Sequence, residues 1–151
     1  MVYLGIIIAI FTGDLFIKNY MEKTLVEGKE NKRLNGFLRF RKHHNKGAFL
    51  NAGQKRQPVV AILSVLLTVG VAAVFVLSLG QQGNRLMKTG LSLLLGGAFC
   101  NTYDRLKRKY VVDYVSFGVR WKWLSRIVFN LSDFGIMVGA IMAALAAGWE
   151  K

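Results

Sequence analysis

Two aspartates stand beside apolar segments, where a charged side chain is unfavourable. Asp113 lies in the run Tyr110-Val111-Val112-Asp113-Tyr114, and Asp133 ends the run Phe129-Asn130-Leu131-Ser132-Asp133. An ionisable group inside or next to a membrane-embedded segment is by default a candidate functional group. Two carboxyl groups held close together do not both ionise readily, so they share one proton and supply one base and one acid. We therefore take the pair as the candidate chemical centre.

Each aspartate also has a structural interpretation. Asn130 and Asp133 are three residues apart, so they share a face if both are helical, and either could instead cap a helix N-terminus. Asp113 could be a loop acid paired with one of the many neighbouring Lys and Arg side chains. The residues alone leave both interpretations open.

Composition places these aspartates in a membrane protein. The chain has 151 residues, is 53% hydrophobic, and carries 21 Lys and Arg against 8 Asp and Glu. Its uncharged run at residues 59–79 has about the length that crosses roughly 30 Å of hydrocarbon as a helix. We predict a single domain, residues 1–151, with the all-α polytopic fold of a membrane protein that has four transmembrane helices. The predicted spans are residues 2–21, 59–79, 86–103 and 127–148.

The first span differs from a signal peptide. It lacks a basic start and a small-residue cleavage site, and it contains Asp14 and Lys18 where the apolar core should end. We predict a retained helix, on which these two side chains, four residues apart with the acid first, share a face and can pair. A simple ion pair at a helix end and a site-organising role explain this spacing equally well.

Two short stretches between the spans favour β-structure lying on the membrane surface. Residues 38–41 alternate apolar and polar side chains, and residues 110–115 are rich in Val and Tyr. The adjacent His43 and His44 would point in different directions on a strand, so a metal site built from the pair is disfavoured, and we interpret them as solvated loop side chains.

The third span ends in the run Gly96-Gly97-Ala98-Phe99-Cys100-Asn101. Its small residues would let helices approach closely. Cys100 is the only cysteine, so an intrachain disulfide is excluded, and we expect it to be a small buried apolar side chain. Trp121 and Trp123 are placed as membrane-interface anchors would be.

Four crossings would bring the polar residues of distant segments to one side of the membrane. The end of the first helix, the 22–56 loop, the end of the third helix, the 104–126 loop and the start of the fourth helix would share that side. The residues collected there are Asp14, Lys18, Asn45, Asn101, Arg105, Asp113, Asn130 and Asp133.

Five motifs, in order along nearly the whole chain, resemble those of lipoprotein signal peptidase, also called signal peptidase II. The resemblance implies a bacterial inner-membrane aspartyl endopeptidase with a small extracytoplasmic β-cradle on its four helices. It further implies cleavage of the signal peptide of prolipoproteins just before the diacylglyceryl-modified cysteine, with no metal or cofactor. The motifs are Asp14-Leu15-Phe16-Ile17-Lys18, Asn45-Lys46-Gly47-Ala48, Gly97-Ala98-Phe99-Cys100-Asn101-Thr102-Tyr103-Asp104-Arg105, Tyr110-Val111-Val112-Asp113-Tyr114 and Phe129-Asn130-Leu131-Ser132-Asp133.

Matching positions give the site residues that the resemblance implies. Asp113 and Asp133 would be the catalytic pair that activates water and protonates the leaving nitrogen. Prolipoproteins and membrane phospholipids would be the partners of a protein expected to be a monomer. The supporting residues would be Asp14, Lys18, Asn45, Gly47, Asn101, Arg105 and Asn130.

The chain departs from the family pattern at several positions. Cys100 and Lys109 stand where glycine is usual, and Phe49 and Ser132 stand where alanine is usual. These changes leave open a noncatalytic or weakly active membrane scaffold or lipid-binding relative. The net charge of +13 at pH 7 alone would point to nucleic-acid binding, but the uninterrupted apolar spans disfavour that class.

The basic residues conflict with the orientation that the resemblance implies. Ten Lys and Arg lie in residues 23–56 and seven in residues 105–126, whereas the short connection has Arg85 and Lys88. Charge bias alone would make the two long loops cytoplasmic. We follow the motifs and expect an extracytoplasmic site, with much of the basic charge lying against anionic lipid headgroups.

Overall fold

The computed structural model describes residues 1–48 and 52–149, so Phe49 lies outside the described residues. The described chain is mostly helical, with one small sheet. Its elements in chain order are α1 (Val2–Thr24), β1 (Asn31–Arg33), β2 (Leu38–Asn45), α2 (Gln57–Leu79), α3 (Arg85–Lys107), β3 (Val111–Phe117), α4 (Lys122–Arg126) and α5 (Leu131–Trp149).

Three helical segments of the described chain are long and apolar enough to cross a membrane. They are Val2–Thr24, Gln54–Leu79 and Leu131–Gly148. On α2, Leu67 is 72% exposed and Val76 is 63% exposed, which is unfavourable in water but natural for side chains that face lipid. The predictions of a multi-pass membrane protein and of a mainly helical fold with a small β-sheet are therefore confirmed.

The third predicted span is different in character. Helix α3 contacts α1, α2 and α5, and many of its side chains are buried between them, including Lys88, Asn101 and Asp104. Its polar residues keep it outside the set of apolar helices. The count of four crossings consequently stays a prediction.

The end of α3 and the start of α5 differ from the predicted spans. Helix α3 continues to Lys107 rather than ending near residue 103, because its last turns pack their polar side chains inside the protein. Helix α5 begins at Leu131 rather than at residue 127, because Phe129 pairs with Val115 of β3 before the helix starts.

Glycines bring α3 and α5 into close contact. A Cβ atom on Gly90 would lie 2.8 Å from the Gly139 carbonyl oxygen, and one on Gly97 would collide with the Ser132 carbonyl oxygen. Only glycine fits at such backbone contacts, as the small-residue run at the end of the third span predicted. This contact places the start of α5 against the end of α3.

The sheet is antiparallel, in the order β1-β2-β3. Strand β2 runs from Leu38 to Asn45, twice as far as predicted, and pairs His43 with Asp113 and His44 with Val112. The interpretation of the two histidines as loop side chains is therefore wrong, because pairing with a distant strand extends β2 through them.

An apolar cluster attaches the sheet to the helices. Its buried members come from the end of α1, from β3 and from the segment before α5. Such burial contributes about 1.5–3 kcal/mol for each large side chain relative to an exposed one. The cluster consists of Leu25, Tyr114, Val115, Ile127 and Phe129.

Candidate functional site

Strand β3 carries Asp113, whose side chain points into the protein and is 2% exposed. The Asn130 side-chain amide donates a hydrogen bond to Asp113 Oδ1 at 2.7 Å. Burial, and then the nearby Asp133 carboxylate, raise the pKa of Asp113 to about 8, against the opposing effect of the Asn130 hydrogen bond. At neutral pH the Asp113 carboxyl group therefore holds its proton.

Asp133 lies in the first turn of α5 and forms a reciprocal pair with Asn130. The Asn130 N–H donates to Asp133 Oδ2 at 3.0 Å, and the Asp133 N–H donates to Asn130 Oδ1 at 2.9 Å. This is the arrangement of a capping box, with Asn130 as the cap. The capping interpretation is thus right for Asn130, and Asp133 keeps its other oxygen for the Asn101 amide, which donates to Oδ1 at 2.9 Å.

Both aspartates line one cavity of about 510 Å³. Its apolar wall comes from helices that are candidate spans, with Leu67 and Val71 on α2 and Ile136 on α5. Its polar end holds the two carboxyl groups. The remaining polar side chains around it are His43, Asn45, Ser64, Thr68, Asn101, Thr102, Arg105 and Arg126.

Arg105 ties the loop after β2 to the end of α3. Its Nη2 donates to the Gly47 carbonyl oxygen at 3.2 Å, and its Nη1 donates to the Asn101 carbonyl oxygen at 3.3 Å. The Gly47 N–H in turn donates to Asn45 Oδ1 at 3.1 Å. Asn45, Gly47 and Arg105 therefore form one connected polar rim beside the aspartates.

Asp14 and Lys18 are fully buried and form the predicted ion pair, with Lys18 Nζ 3.1 Å from Asp14 Oδ2. Lys18 Nζ also lies 3.0 Å from Asp104 Oδ2 and donates to Asn101 Oδ1 at 2.7 Å. Because the Asn101 oxygen accepts from Lys18, its amide nitrogen is directed at Asp133. The pair is thus linked to the candidate site rather than standing alone at a helix end.

Asp14 also holds the N-terminus of α5. The N–H groups of Leu131 and Ser132 donate to its two oxygens, each at 3.2 Å. The Ser132 hydroxyl and the Tyr114 hydroxyl donate to the same carboxylate. A carboxylate is favourable beside the unsatisfied N–H groups of a helix start. Helix α1 thereby fixes the turn that carries Asp133.

Cys100 is fully buried, as expected, but its surroundings are not apolar. Its Sγ lies 3.6 Å from Lys18 Nζ and 3.6 Å from Asp14 Oδ2. These polar contacts arise because α3 presents this face to the ion pair on α1. The larger side chain at a usual glycine position is accommodated there.

Residues of this region that were not among the predicted site residues include Asp104, Tyr114 and His43. Asp104 is fully buried and pairs with Lys18. Asp104 lies three residues after Asn101, so extending the predicted α3 by one turn would have placed both side chains on one helix face. Tyr114 is next to Asp113 on β3, so the two side chains lie on opposite faces of the strand, and nothing in the local sequence indicates a role for Tyr114. His43 lines the cavity because it pairs with Asp113 across the sheet.

Comparison with known proteins gives a consistent result. The family model described as signal peptidase (SPase) II matches residues 6–148. The lipoprotein signal peptidase of Lactobacillus johnsonii is 33% identical, with 93% of this chain and 87% of the relative covered. That of Clostridium novyi is 30% identical, with 87% of each covered.

Solved structures show the same fold. A bacterial membrane enzyme determined by the in meso method at 1.9 Å resolution superposes with a TM-score of 0.82 and 22% identity, over 97% of this chain and 92% of that one. A second, at 2.3 Å resolution, gives 0.83 and 21%, over 97% and 87%. With the family model spanning almost the whole sequence, the chain belongs to the signal peptidase II family.

Proposed function

We propose that this protein is a membrane aspartyl endopeptidase that removes the signal peptide of prolipoproteins just before the diacylglyceryl-modified cysteine. The observation that carries the proposal is the shared cavity of Asp113 and Asp133, in a chain whose relatives are named lipoprotein signal peptidase. A carboxyl pair in a site with an apolar wall suits hydrolysis of a peptide that arrives from a membrane.

The two carboxyl groups divide the proton work. Asp113 has a pKa of about 8 and so keeps its proton at neutral pH, which makes it the acid that protonates the leaving nitrogen. Asp133 then acts as the base that removes a proton from the attacking water. After bond cleavage Asp113 is ionised and Asp133 carries the proton taken from water, so one proton transfer from Asp133 to Asp113 restores the starting state. The pair titrates as a unit.

The polar rim supports the substrate. The amides of Asn45 and Asn101 and the guanidinium of Arg105 line the cavity and offer donors to the substrate backbone and to the oxyanion that develops on the scissile carbonyl. Asn130 is fully buried and positions the two aspartates instead. Gly47 presents backbone groups in the same rim, already ordered by Asn45 and Arg105. Asp14 and Lys18 act through Asn101 and through the start of α5, as positioning residues.

The apolar wall gives a place for the lipid-modified part of the substrate. Leu67, Val71 and Ile136 lie on helices whose outer faces suit hydrocarbon. Acyl chains and the apolar core of a signal peptide would contact this wall while the scissile bond reaches the aspartates. Phospholipids would surround the protein, which acts as a monomer.

The proposed topology has α3 as a fourth crossing and an extracytoplasmic site in the bacterial inner membrane. At 23 residues, α3 is long enough to cross, and its polar side chains are shielded by the other helices. In a Cys100→Ala background, a cysteine at Gly83, before α3, should react with an impermeant thiol reagent in inverted vesicles, and one at the exposed Arg120, after α3, should react in right-side-out vesicles. Labelling of both from the same side would contradict this topology.

Purified protein and a lipidated precursor test the activity. Incubation in bilayers should release the intact signal peptide, detected by mass spectrometry, and the unlipidated precursor should be cleaved far more slowly. Asp113→Asn should abolish release, whereas Glu30→Gln, which alters an exposed carboxylate, should not. If Asp113→Asn cleaved the precursor as fast as the wild type, the proposed role of the pair would be refuted.

A noncatalytic membrane relative is the alternative, favoured by Cys100 and Lys109 at usual glycine positions. It predicts no peptide release by the wild type, although the protein inserts and accumulates normally. Lys109 adopts a left-handed backbone with φ of 69°, a conformation that favours glycine, and Cys100 is fully buried beside the ion pair. The two aspartates remain together in the cavity despite these departures.

A further inference from the structure

A second cavity, which we call the basic pocket, lies between the start of α2 and the end of α3. It has a volume of about 200 Å³. No acidic residue is among the described side chains that line it. Its charged lining is Lys46, Arg105 and Lys109, and its apolar lining includes Val60, Ala61 and Leu106. Three cations around a space of this size favour an anion.

Lys109 has an unfavourable backbone conformation, with φ of 69°. The left-handed region costs a residue with a side chain about 1–2 kcal/mol. The Lys109 Nζ donates to the Leu106 carbonyl oxygen at 3.0 Å, so the side chain folds back over the end of α3. Strained residues cluster at functional sites, and this one places a cation beside the basic pocket.

The position of the basic pocket along the helices indicates which anion it meets. Gln57 and Pro58 are the first residues of α2 and line the basic pocket, and the apolar span follows them directly. Leu106, which is 52% exposed, and Val60 form its apolar lining. Cations at the end of an apolar span, with apolar side chains next to them, match the boundary between headgroup and acyl chain of a phospholipid.

We propose that the basic pocket binds the phosphate of an anionic phospholipid headgroup. The phosphate oxygens accept hydrogen bonds from Lys46, Lys109 and Arg105, and the acyl chains run along the outer surface of α2.

Arg105 connects the basic pocket to the cavity that holds Asp113 and Asp133, because its side chain lines both. Its Nε is buried and has no hydrogen-bond partner among the described residues, while its Nη atoms hold the Gly47 and Asn101 carbonyl groups. A bound phosphate would fix this guanidinium and with it the rim beside the aspartates. Lipid-dependent cleavage follows from this link and rests on the proposed function, whereas binding itself does not.

Headgroup binding is measured without any cleavage. The full chain in neutral detergent is titrated with short-chain phosphatidylglycerol, with phosphatidylcholine of equal chain length, and with glycerol phosphate, and the thermal unfolding midpoint is followed. We expect phosphatidylglycerol alone to raise the midpoint in a saturable way. An equal rise with phosphatidylcholine, or a rise with glycerol phosphate that matches the lipid, would overturn the proposal of a phospholipid site.

Matched variants locate the site. Lys109→Asn removes the cation but keeps a residue that tolerates the left-handed backbone, and Lys46→Gln removes the cation across the basic pocket. Each change should raise the apparent Kd for phosphatidylglycerol about tenfold, as expected for loss of one charged partner. Lys107→Gln, an exposed cation on the same turn that does not line the basic pocket, should leave it unchanged. If Lys107→Gln lowered the affinity for phosphatidylglycerol as much as Lys109→Asn, the assignment of the lipid to the basic pocket would be overturned.

The two proposals fail separately. A wild type that shows the lipid-specific midpoint shift but releases no signal peptide would contradict the peptidase alone. An active wild type without that shift would contradict the basic pocket alone.

Discussion

At the scale of the residue, Asn130 decides how the two aspartates face each other. Its backbone and side chain bond to Asp133, and its amide nitrogen donates to Asp113, so one side chain bridges the pair. An amide can do this because it offers a donor and an acceptor at once. The two carboxyl groups thereby belong to one hydrogen-bonded unit.

The pKa of Asp113 predicts the pH dependence of cleavage. Burial and Asp133 raise the pKa of this acid to about 8, so the proton needed for the leaving group is present below that pH and is lost above it. Cleavage should therefore fall as the pH rises through about 8, by about tenfold for each further pH unit. Initial rates between about pH 6 and pH 10 test this, with circular dichroism at each pH to exclude unfolding. A rate that is constant up to pH 10 would be inconsistent with Asp113 as the acid.

The fully buried ion cluster predicts a large effect of Lys18. Lys18→Met keeps the length of the side chain but leaves the Asp14 and Asp104 carboxylates without their cation. Breaking a buried pair in this way costs about 3–5 kcal/mol. The thermal midpoint in detergent should drop strongly, whereas Lys23→Met at the exposed end of the same helix should leave it almost unchanged. Similar midpoints for the two variants would show that the cluster is not needed for stability.

At the scale of the element, α5 depends on partners from elsewhere for both its position and its start. Its first N–H groups bond to Asp14 of α1, and its middle packs on α3 through Gly90 and Gly139. The turn with Asp133 is consequently held from two sides. Precise placement of that carboxyl group is a property of the helix contacts.

Glycine substitutions test the α3–α5 contact. Gly139→Ala would bring a Cβ atom into the Gly90 carbonyl and Leu94 N–H groups, so α5 must shift. Overpacking of this kind costs about 1–3 kcal/mol, and cleavage should fall because Asp133 moves with the helix. Gly70→Ala on α2 is the matched control, since a Cβ atom there meets nothing within 4 Å and alanine favours the helix. If both variants kept the stability and the activity of the wild type, the contact would not position the site.

At the scale of the whole molecule, the sequence predicts the apolar spans and the strands better than the hydrogen bonds and ion pairs that connect the helices. The apolar run at residues 59–79 and the β-rich run at residues 110–115 correspond to α2 and β3 because length and side-chain type determine them locally. The role of Asp14 at the start of α5 could not be predicted, since it joins residues more than 100 positions apart.

The misjudged elements have the same physical origin. Strand β2 extends through His43 and His44 because β3 pairs with it, and α3 extends past residue 103 because Asp104 finds Lys18 on α1. A polar side chain predicts a loop as long as its buried partner is unknown. Tertiary pairing therefore overrides local pattern in the part of the molecule where the site lies.

Single-turnover cleavage of a lipidated precursor by Asp113→Asn, Asp133→Asn and the double variant tests the central claim most directly. Two carboxyl groups that work as one unit lose their function together, so each single change should lower the rate by about a thousandfold or more, and the double change should lower it no further. Insertion and thermal midpoint should show that every variant is folded. Losses that multiply in the double variant, or a single variant that keeps a tenth of the wild-type rate, would contradict a shared catalytic pair.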